Sequence, residues 1–172
     1  ALYRLGGALR YVHLEDVALK AAELSPKAFS WKKYPDQINL ETVRVALKDE
    51  LRAKVKRVLG SIRDGWMLTP QGLSWCLANV SGGTNQPPID QVYREIARIK
   101  KSEAFNKLAA DSSKEITDSD LKALLRIDDY FSPRNRSERI AALANAAVVD
   151  PQLGPVLTAL KQRGFTESEV GP

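Results

Sequence analysis

The segment at residues 60–72, GSIRDGWMLTPQG, constrains the fold more than any other part of this sequence. Residues 60–65 begin and end with glycine and hold a polar tip, which favours a tight turn between two strands. Residues 55–59 and 66–68, on either side of the turn, are rich in apolar side chains and suit short strands. Thr69 then predicts a helix cap, with a proline at the first helical position. A hairpin therefore interrupts a chain whose other patterns are helical.

Apolar side chains recur at helical spacing in the residues before the hairpin. Residues 15–24 predict a helix that ends at Ser25, because a residue before proline avoids the α region. Residues 2–11 predict a further short helix, which two adjacent glycines weaken. Asn39 can cap a helix that runs over residues 40–51. We expect that helix to bury Leu40, Val43, Leu47 and Leu51.

An aromatic loop, FSWKKYPDQI at residues 29–38, separates the two main helices of the first half. Lysines between aromatic side chains are typical of surfaces that stack nucleic-acid bases. The alternative is that the aromatic rings form core beneath a long loop, and this is the interpretation that we favour. The aromatic residues expected in the core are Phe29, Trp31, Tyr34, Trp66 and Trp75.

The segment at residues 79–88, NVSGGTNQPP, lacks apolar periodicity and predicts a linker. It divides the chain into residues 1–78 and a helical domain at residues 89–172, for which we predict four helices. The first helix carries an apolar stripe of Val92, Ile96 and Ile99, and the second starts at Thr117 and buries Leu121, Leu124 and Leu125. The third starts at Ser132, and its predicted buried residues are Ile140, Leu143, Ala144, Ala147 and Val148. The fourth starts at Asp150 and ends at Gly164, and its predicted buried residues are Leu153, Val156, Leu157 and Leu160.

The net charge of +5 lies in the first half of the sequence. Residues 1–80 carry 13 Lys and Arg against 8 Asp and Glu, whereas residues 81–172 carry 13 of each. A basic half beside a neutral half favours contact with a polyanion such as nucleic acid through the basic half. A solvated basic surface without a partner is the alternative interpretation.

The order of three helices, a hairpin and a helix in residues 1–78 resembles a winged helix-turn-helix domain. The segment GWMLTPQG looks like the exit from the wing in transcription regulators of the PadR and MarR kinds. In those families the return strand often ends in Leu-Thr, and a glycine follows three residues after the Thr; Leu68, Thr69 and Gly72 match this pattern. The connection at residues 26–39 is longer than the turn of a standard helix-turn-helix. The resemblance implies a mainly α protein with a two-stranded β wing that binds double-stranded DNA.

By this resemblance, residues 39–51 form the recognition helix, whose first residues reach base edges in the major groove, and residues 55–68 form the wing. Arg44, Lys48 and Arg52 recur every four residues along one flank of that helix. Alternation along a strand places Lys54 and Lys56 on one face, and an arginine at the hairpin tip can enter the minor groove. The residues predicted to contact DNA are Asn39, Thr42, Arg44, Lys48, Arg52, Lys54, Lys56, Arg57 and Arg63.

The same residues have structural explanations. Asn39 can serve only as a helix cap, and the basic flank of the helix can be a solvated face. Cations on an edge hairpin also protect it from aggregation. Glu41 and Asp49 oppose contact with phosphates because both carry negative charge.

No catalytic or metal-binding pattern stands out. One Cys and one His cannot complete a four-ligand zinc site. We expect His13 and Glu15 to mark the start of a helix, and Asp128, Asp129 and Glu138 to decorate a loop and a helix start, although these acids could hold a metal ion. The sequence therefore predicts a protein without catalytic activity, metal or cofactor.

A neutral helical domain cannot hold DNA by charge, so residues 89–172 are expected to form a homodimer or to dock a partner protein. Together the two parts predict a transcription regulator. The alternatives are a subunit of a multi-protein DNA-processing or phage-defence assembly, and a winged helix that binds only protein. The sequence has neither a run that suits a membrane span nor a signal-peptide pattern, and its lone cysteine suits a reducing compartment, which predicts a cytoplasmic protein.

Overall fold

The computed structural model describes three stretches of the chain, residues 1–79, 89–110 and 116–165. The chain divides into two compact units, Ala1–Pro88 and Ile89–Pro172. Its described residues are mainly helical, with a small two-stranded antiparallel sheet in the first unit. The predicted mainly α class with a small β hairpin is therefore confirmed.

Besides a short 3-10 helix, the described part of the first unit contains four α-helices and one hairpin. They are α1 (Leu14–Leu24), α2 (Pro26–Phe29), α3 (Leu40–Arg52), β1 (Val58–Ser61), β2 (Gly65–Leu68) and α4 (Pro70–Asn79). Of the predicted linker at residues 79–88, only Asn79 is described, as the last residue of α4; the rest lies outside the described residues.

The first helices differ from prediction at two points. In place of a helix over residues 2–11 there is a single 3-10 helix, Leu2–Leu5, which ends because Gly6 takes a left-handed φ of 80°. α1 begins as predicted: the Glu15 N–H donates to His13 Nδ1 at 3.4 Å, so His13 caps the helix. Pro26 starts the short α2, which periodicity misses because four residues are too few to show a helical period.

The first strand of the hairpin begins later than predicted. β1 pairs with β2 in antiparallel register from Val58↔Leu68 to Ser61↔Gly65, whereas residues 55–57 form an irregular connection. The predicted strand at residues 55–59 is therefore wrong in its first half. The return strand and the cap at Thr69 are confirmed.

Val12 adds a third extended segment beside the hairpin. It exchanges two main-chain hydrogen bonds with Trp66, from the Val12 N–H at 2.9 Å and from the Trp66 N–H at 2.8 Å. Trp66 also pairs with Gly60 of β1, so β2 lies between the two partners. The hairpin is thereby joined to the chain two residues before the start of α1.

The core of the first unit combines one face of each main helix with the return strand. Trp66 is buried, as predicted, and so are Met67 and Leu73. The helices contribute Leu14, Val17, Ala18, Ala21, Val43 and Leu47. Leu40 is exposed and Leu51 half-buried, so the buried face of α3 is narrower than predicted. Trp31, Tyr34 and Trp75, also predicted as core, are 49%, 52% and 48% exposed.

The described part of the second unit contains five α-helices rather than four. They are α5 (Ile89–Lys100), α6 (Glu103–Ala109), α7 (Asp118–Leu125), α8 (Pro133–Val149) and α9 (Gly154–Gln162), with a 3-10 helix at Pro151–Leu153. Ser102 caps α6, the helix that prediction missed, by accepting the Phe105 N–H at 3.3 Å.

The predicted apolar stripe of α8 was rotated on the helix. Ile140 and Leu143 are buried, but Ala144, Ala147 and Val148 are only half-buried. The fully buried positions include Ala141, Ala146 and the polar Asn145. Alanines occur on all sides of α8, so periodicity alone does not identify its buried face.

The start of α7 predicts a measurable loss of stability in acid. Asp120 closes a capping box with Thr117, and its Oδ2 also accepts from Lys107 Nζ of α6 at 3.0 Å. These hydrogen bonds lower the pKa of Asp120 from 3.8 to about 2. Because the folded pKa is depressed, the stabilisation is present above pH 3.8 and disappears as the pH falls through about 2.

We therefore expect Asp120→Asn to lower the urea midpoint at about pH 6, with the difference from wild type vanishing towards pH 2. Far-UV circular dichroism follows the unfolding. A difference that persists unchanged at pH 2 would contradict the role of the ionised carboxylate.

Candidate nucleic-acid interface

α3 exposes a mixed face beside its buried stripe. Asn39 caps the helix: its Oδ1 accepts the Thr42 N–H at 3.2 Å. Both residues therefore take part in the helix start, as the structural explanation of Asn39 requires. Val43 and Leu47 face the core, while Val45 is exposed and extends the outer surface.

Arg44 is held within α3 by an acidic neighbour. Its Nε donates to Glu41 Oε2 at 2.5 Å, and its Nη2 donates to the other carboxylate oxygen. The hydrogen bonds from Arg44 lower the pKa of Glu41, and Lys48 adds a weaker effect in the same direction. The flank predicted to read bases thus carries a carboxylate that offsets part of its positive charge.

Four of the predicted contact residues lie exposed along the chain from the end of α3 to the hairpin tip. We call Arg52, Lys54, Lys56 and Arg63 the basic strip. Among the described residues, no carboxylate lies within ion-pair distance of these four side chains. Lys54 and Lys56 lie in the irregular connection, so the predicted alternation on a strand does not apply to them.

The hairpin tip that carries Arg63 is stabilised by its own side chains. Ser61 Oγ donates to Asp64 Oδ2 at 2.7 Å and accepts the Asp64 N–H at 3.0 Å. These bonds close the turn beside Arg63, whose side chain remains exposed.

Arg57 differs from the other predicted contact residues because it bridges structural elements. Its Nη1 donates to both carboxylate oxygens of Glu50, each at 3.2 Å, and its guanidinium lies 5.2 Å from the centre of the Trp75 ring. It thereby links α3, the connection before β1 and α4. Trp75, which was predicted as core, thus lies beside an arginine and is about half exposed.

The Leu-Thr-x-x-Gly segment joins α4 to the connection before β1. Thr69 Oγ1 donates to the Lys56 carbonyl at 2.8 Å and accepts the Gly72 N–H at 3.0 Å. The Thr69 N–H donates to the Arg57 carbonyl at 3.1 Å. A Cβ atom at Gly72 would lie 1.9 Å from that same carbonyl oxygen. The motif therefore holds the backbone of Lys56 and Arg57 against the start of the helix.

The candidate catalytic and metal-binding residues are dispersed. Within the described ranges, no group of three or more His, Cys, Asp or Glu is placed to hold a metal ion. Asp129 pairs with Lys122, and Asp128 accepts the Tyr130 N–H at 2.9 Å. Burial raises the pKa of Cys76, which keeps its thiol protonated and weakly nucleophilic.

Sequence reasoning missed the exposed aromatic residues of the loop at residues 30–38. The alternation of aromatic and lysine residues in SWKKY was visible, but we expected the rings to form core beneath a long loop. Only the packing shows that Trp31 and Tyr34 lie on the surface.

Comparisons with protein-family models, curated proteins and solved structures found no significant match to this chain. The likeness to PadR- and MarR-type regulators therefore remains a prediction. Separately, no helix in residues 1–79, 89–110 or 116–165 combines the length and apolar character that a membrane span requires.

Proposed function

We propose that the first unit is a winged helix-turn-helix domain that binds double-stranded DNA without catalysing a reaction. In this proposal α3 is the recognition helix and the β1–β2 hairpin is the wing. The order α1, α3, hairpin supports it. So does the isolated bridge between Val12 and Trp66, which places an extended residue ahead of α1 beside the return strand of the hairpin.

The observation that carries the proposal is the basic strip. Arg52, Lys54, Lys56 and Arg63 are exposed, all lie between the last turn of α3 and the hairpin tip, and are outside ion-pair reach of every described carboxylate. Lysine and arginine in such an arrangement neutralise phosphates and release the counterions that DNA holds. Along the chain, the strip begins in the last turn of the proposed recognition helix and ends at the tip of the proposed wing.

The outer face of α3 supplies side chains suited to base edges. Val45 can contact a thymine methyl group, and Arg44 can contact guanine once Glu41 releases it. Because Glu41 holds Arg44 in the unbound protein, we expect base contacts to contribute less than phosphate contacts. Affinity therefore rests mainly on the basic strip.

For the second unit we propose a role in dimerisation or in docking a partner protein. Tyr93 on α5 and Tyr130 after α7 support it, because both are large side chains left exposed on a neutral unit, Tyr130 at 97%. A dimer would present two recognition helices to a palindromic site, as a transcription regulator requires.

The experiment is fluorescence anisotropy of a labelled duplex of about two helical turns, titrated with the protein at increasing salt. Four phosphate contacts predict that log K falls against log salt with a slope of about −3.6. Absence of binding at low salt, or an affinity indifferent to salt, would overturn the proposal for this chain.

A further inference from the structure

We propose that residues 30–38 of the aromatic loop bind unpaired bases that adjoin a DNA duplex. The inference rests on the proposed function, since it assigns a second contact to the same domain. It predicts that the protein prefers a duplex with a single-stranded tail over a blunt duplex.

The aromatic loop has a defined shape despite its length. An antiparallel bridge joins Ser30 and Ile38 at its base. Within it, the Trp31 N–H donates to the Gln37 carbonyl and the Gln37 N–H donates to the Tyr34 carbonyl, each at 3.0 Å. The rings of Trp31 and Tyr34 are therefore carried on a hydrogen-bonded backbone rather than on a loose chain.

Two aromatic rings and two ammonium groups share the surface of this loop. Trp31 and Tyr34 are about half exposed, and Lys32 and Lys33 between them are exposed. Lys33 Nζ lies 5.7 Å from the centre of the Tyr34 ring, so a cation and a ring stand side by side. Asp36 is the loop's one carboxylate and leaves it with a net positive charge.

The loop is fastened to the end of α3 that would approach DNA. The Asn39 N–H donates to the Phe29 carbonyl at 2.7 Å, which ties the capping residue of α3 to the base of the loop. A duplex held by α3 and the basic strip would therefore have its flanking nucleotides near the loop.

The chemistry favours unpaired bases over paired ones. A base inside a duplex has both faces covered by its neighbours, whereas an unpaired base offers a face to an aromatic side chain. Trp31 and Tyr34 can supply such stacking while Lys32 and Lys33 contact the phosphates of the same strand. Rings of this kind on a phosphate-binding surface contribute sequence-tolerant affinity.

The test compares a blunt duplex with the same duplex carrying a short thymidine tail, by anisotropy at fixed salt. We expect the tail to tighten wild-type binding about tenfold. In Trp31→Ala/Tyr34→Ala this gain should disappear while blunt-duplex affinity is unchanged. In Trp31→Phe/Tyr34→Phe, which keeps both rings, most of the gain should remain.

The control is Leu19→Ala/Leu77→Ala, which removes two exposed apolar side chains of α1 and α4 that lie outside the aromatic loop. It should keep the full gain from the tail. Equal binding of tailed and blunt duplexes by wild type, or a gain that survives in Trp31→Ala/Tyr34→Ala, would overturn the inference and leave the proposed function standing. If the wild-type protein binds neither the blunt nor the tailed duplex, the proposed function itself would be overturned.

Discussion

Replacement of Lys54, Lys56 and Arg63 by glutamine is expected to weaken binding to a blunt DNA duplex about thirtyfold at low salt. These side chains are exposed and lack a described ion-pair partner, so their substitution removes phosphate contacts without breaking a contact inside the protein. The slope of log K against log salt should also become shallower, from about −3.6 in the wild type to about −0.9 in the variant. Arg52 stays in place because its position in the last turn of α3 also stabilises the helix.

The control is Arg94→Gln/Lys101→Gln/Lys161→Gln, which removes the same number of exposed cations from the second unit. Both triple variants have the same net charge, so a general effect of charge would weaken them equally. We expect the control to bind as wild type does. Equal losses in the two variants would contradict a role for the basic strip, and circular dichroism should show that both remain folded.

Substitution of Gly72 by alanine is expected to destabilise the first unit by about 3 kcal/mol. The added Cβ would lie 1.9 Å from the Arg57 carbonyl oxygen and 2.9 Å from its carbon, which are backbone atoms that cannot rotate away. Relief requires α4 to move from the Lys56–Arg57 segment, which would break the hydrogen bonds made by Thr69. For a unit of this size the loss corresponds to a fall in Tm of roughly 15 °C.

Tryptophan fluorescence measures this effect selectively, since Trp31, Trp66 and Trp75 all belong to the first unit. The matched control is Gly154→Ala. Nothing lies within 4 Å of its added Cβ, and Gly154 already has helical φ and ψ angles. Gly154→Ala should raise the free energy of unfolding by about 0.5 kcal/mol. Unfolding followed by circular dichroism measures this change. A Gly72→Ala protein as stable as wild type would show that the close approach is not a constraint.

Much of the fold follows from local patterns in the sequence. The caps at Asn39, Thr69 and Thr117 could be predicted because each requires only a side-chain oxygen next to the N–H groups of its own helix. The stripes of α5 and α7 could be predicted for a similar reason, since a 3.6-residue period marks a buried face. The buried face of α8 could not be predicted in this way, because its small side chains allow several faces of the helix to pack.

The candidate site was less predictable than the fold. The exposed Arg63 at the hairpin tip could be anticipated from the sequence, whereas Lys54 and Lys56 lie in an irregular connection rather than on the predicted strand. The partner of Arg57 could not, because Glu50 and Trp75 approach it only when α3 and α4 pack around the same connection. The pairing of Arg44 with Glu41 could have been predicted, since residues three apart are neighbours on a helix.

By itself the sequence determined the hairpin turn, most of the longer helices and which half carries the positive charge, because these depend on residues close together along the chain. Only the tertiary structure decided which cations remain unpaired and which aromatic rings stay exposed. In the folded protein, Arg57 pairs with Glu50, and Trp31 and Tyr34 lie on the surface. Such outcomes depend on side chains that folding brings together from distant parts of the chain.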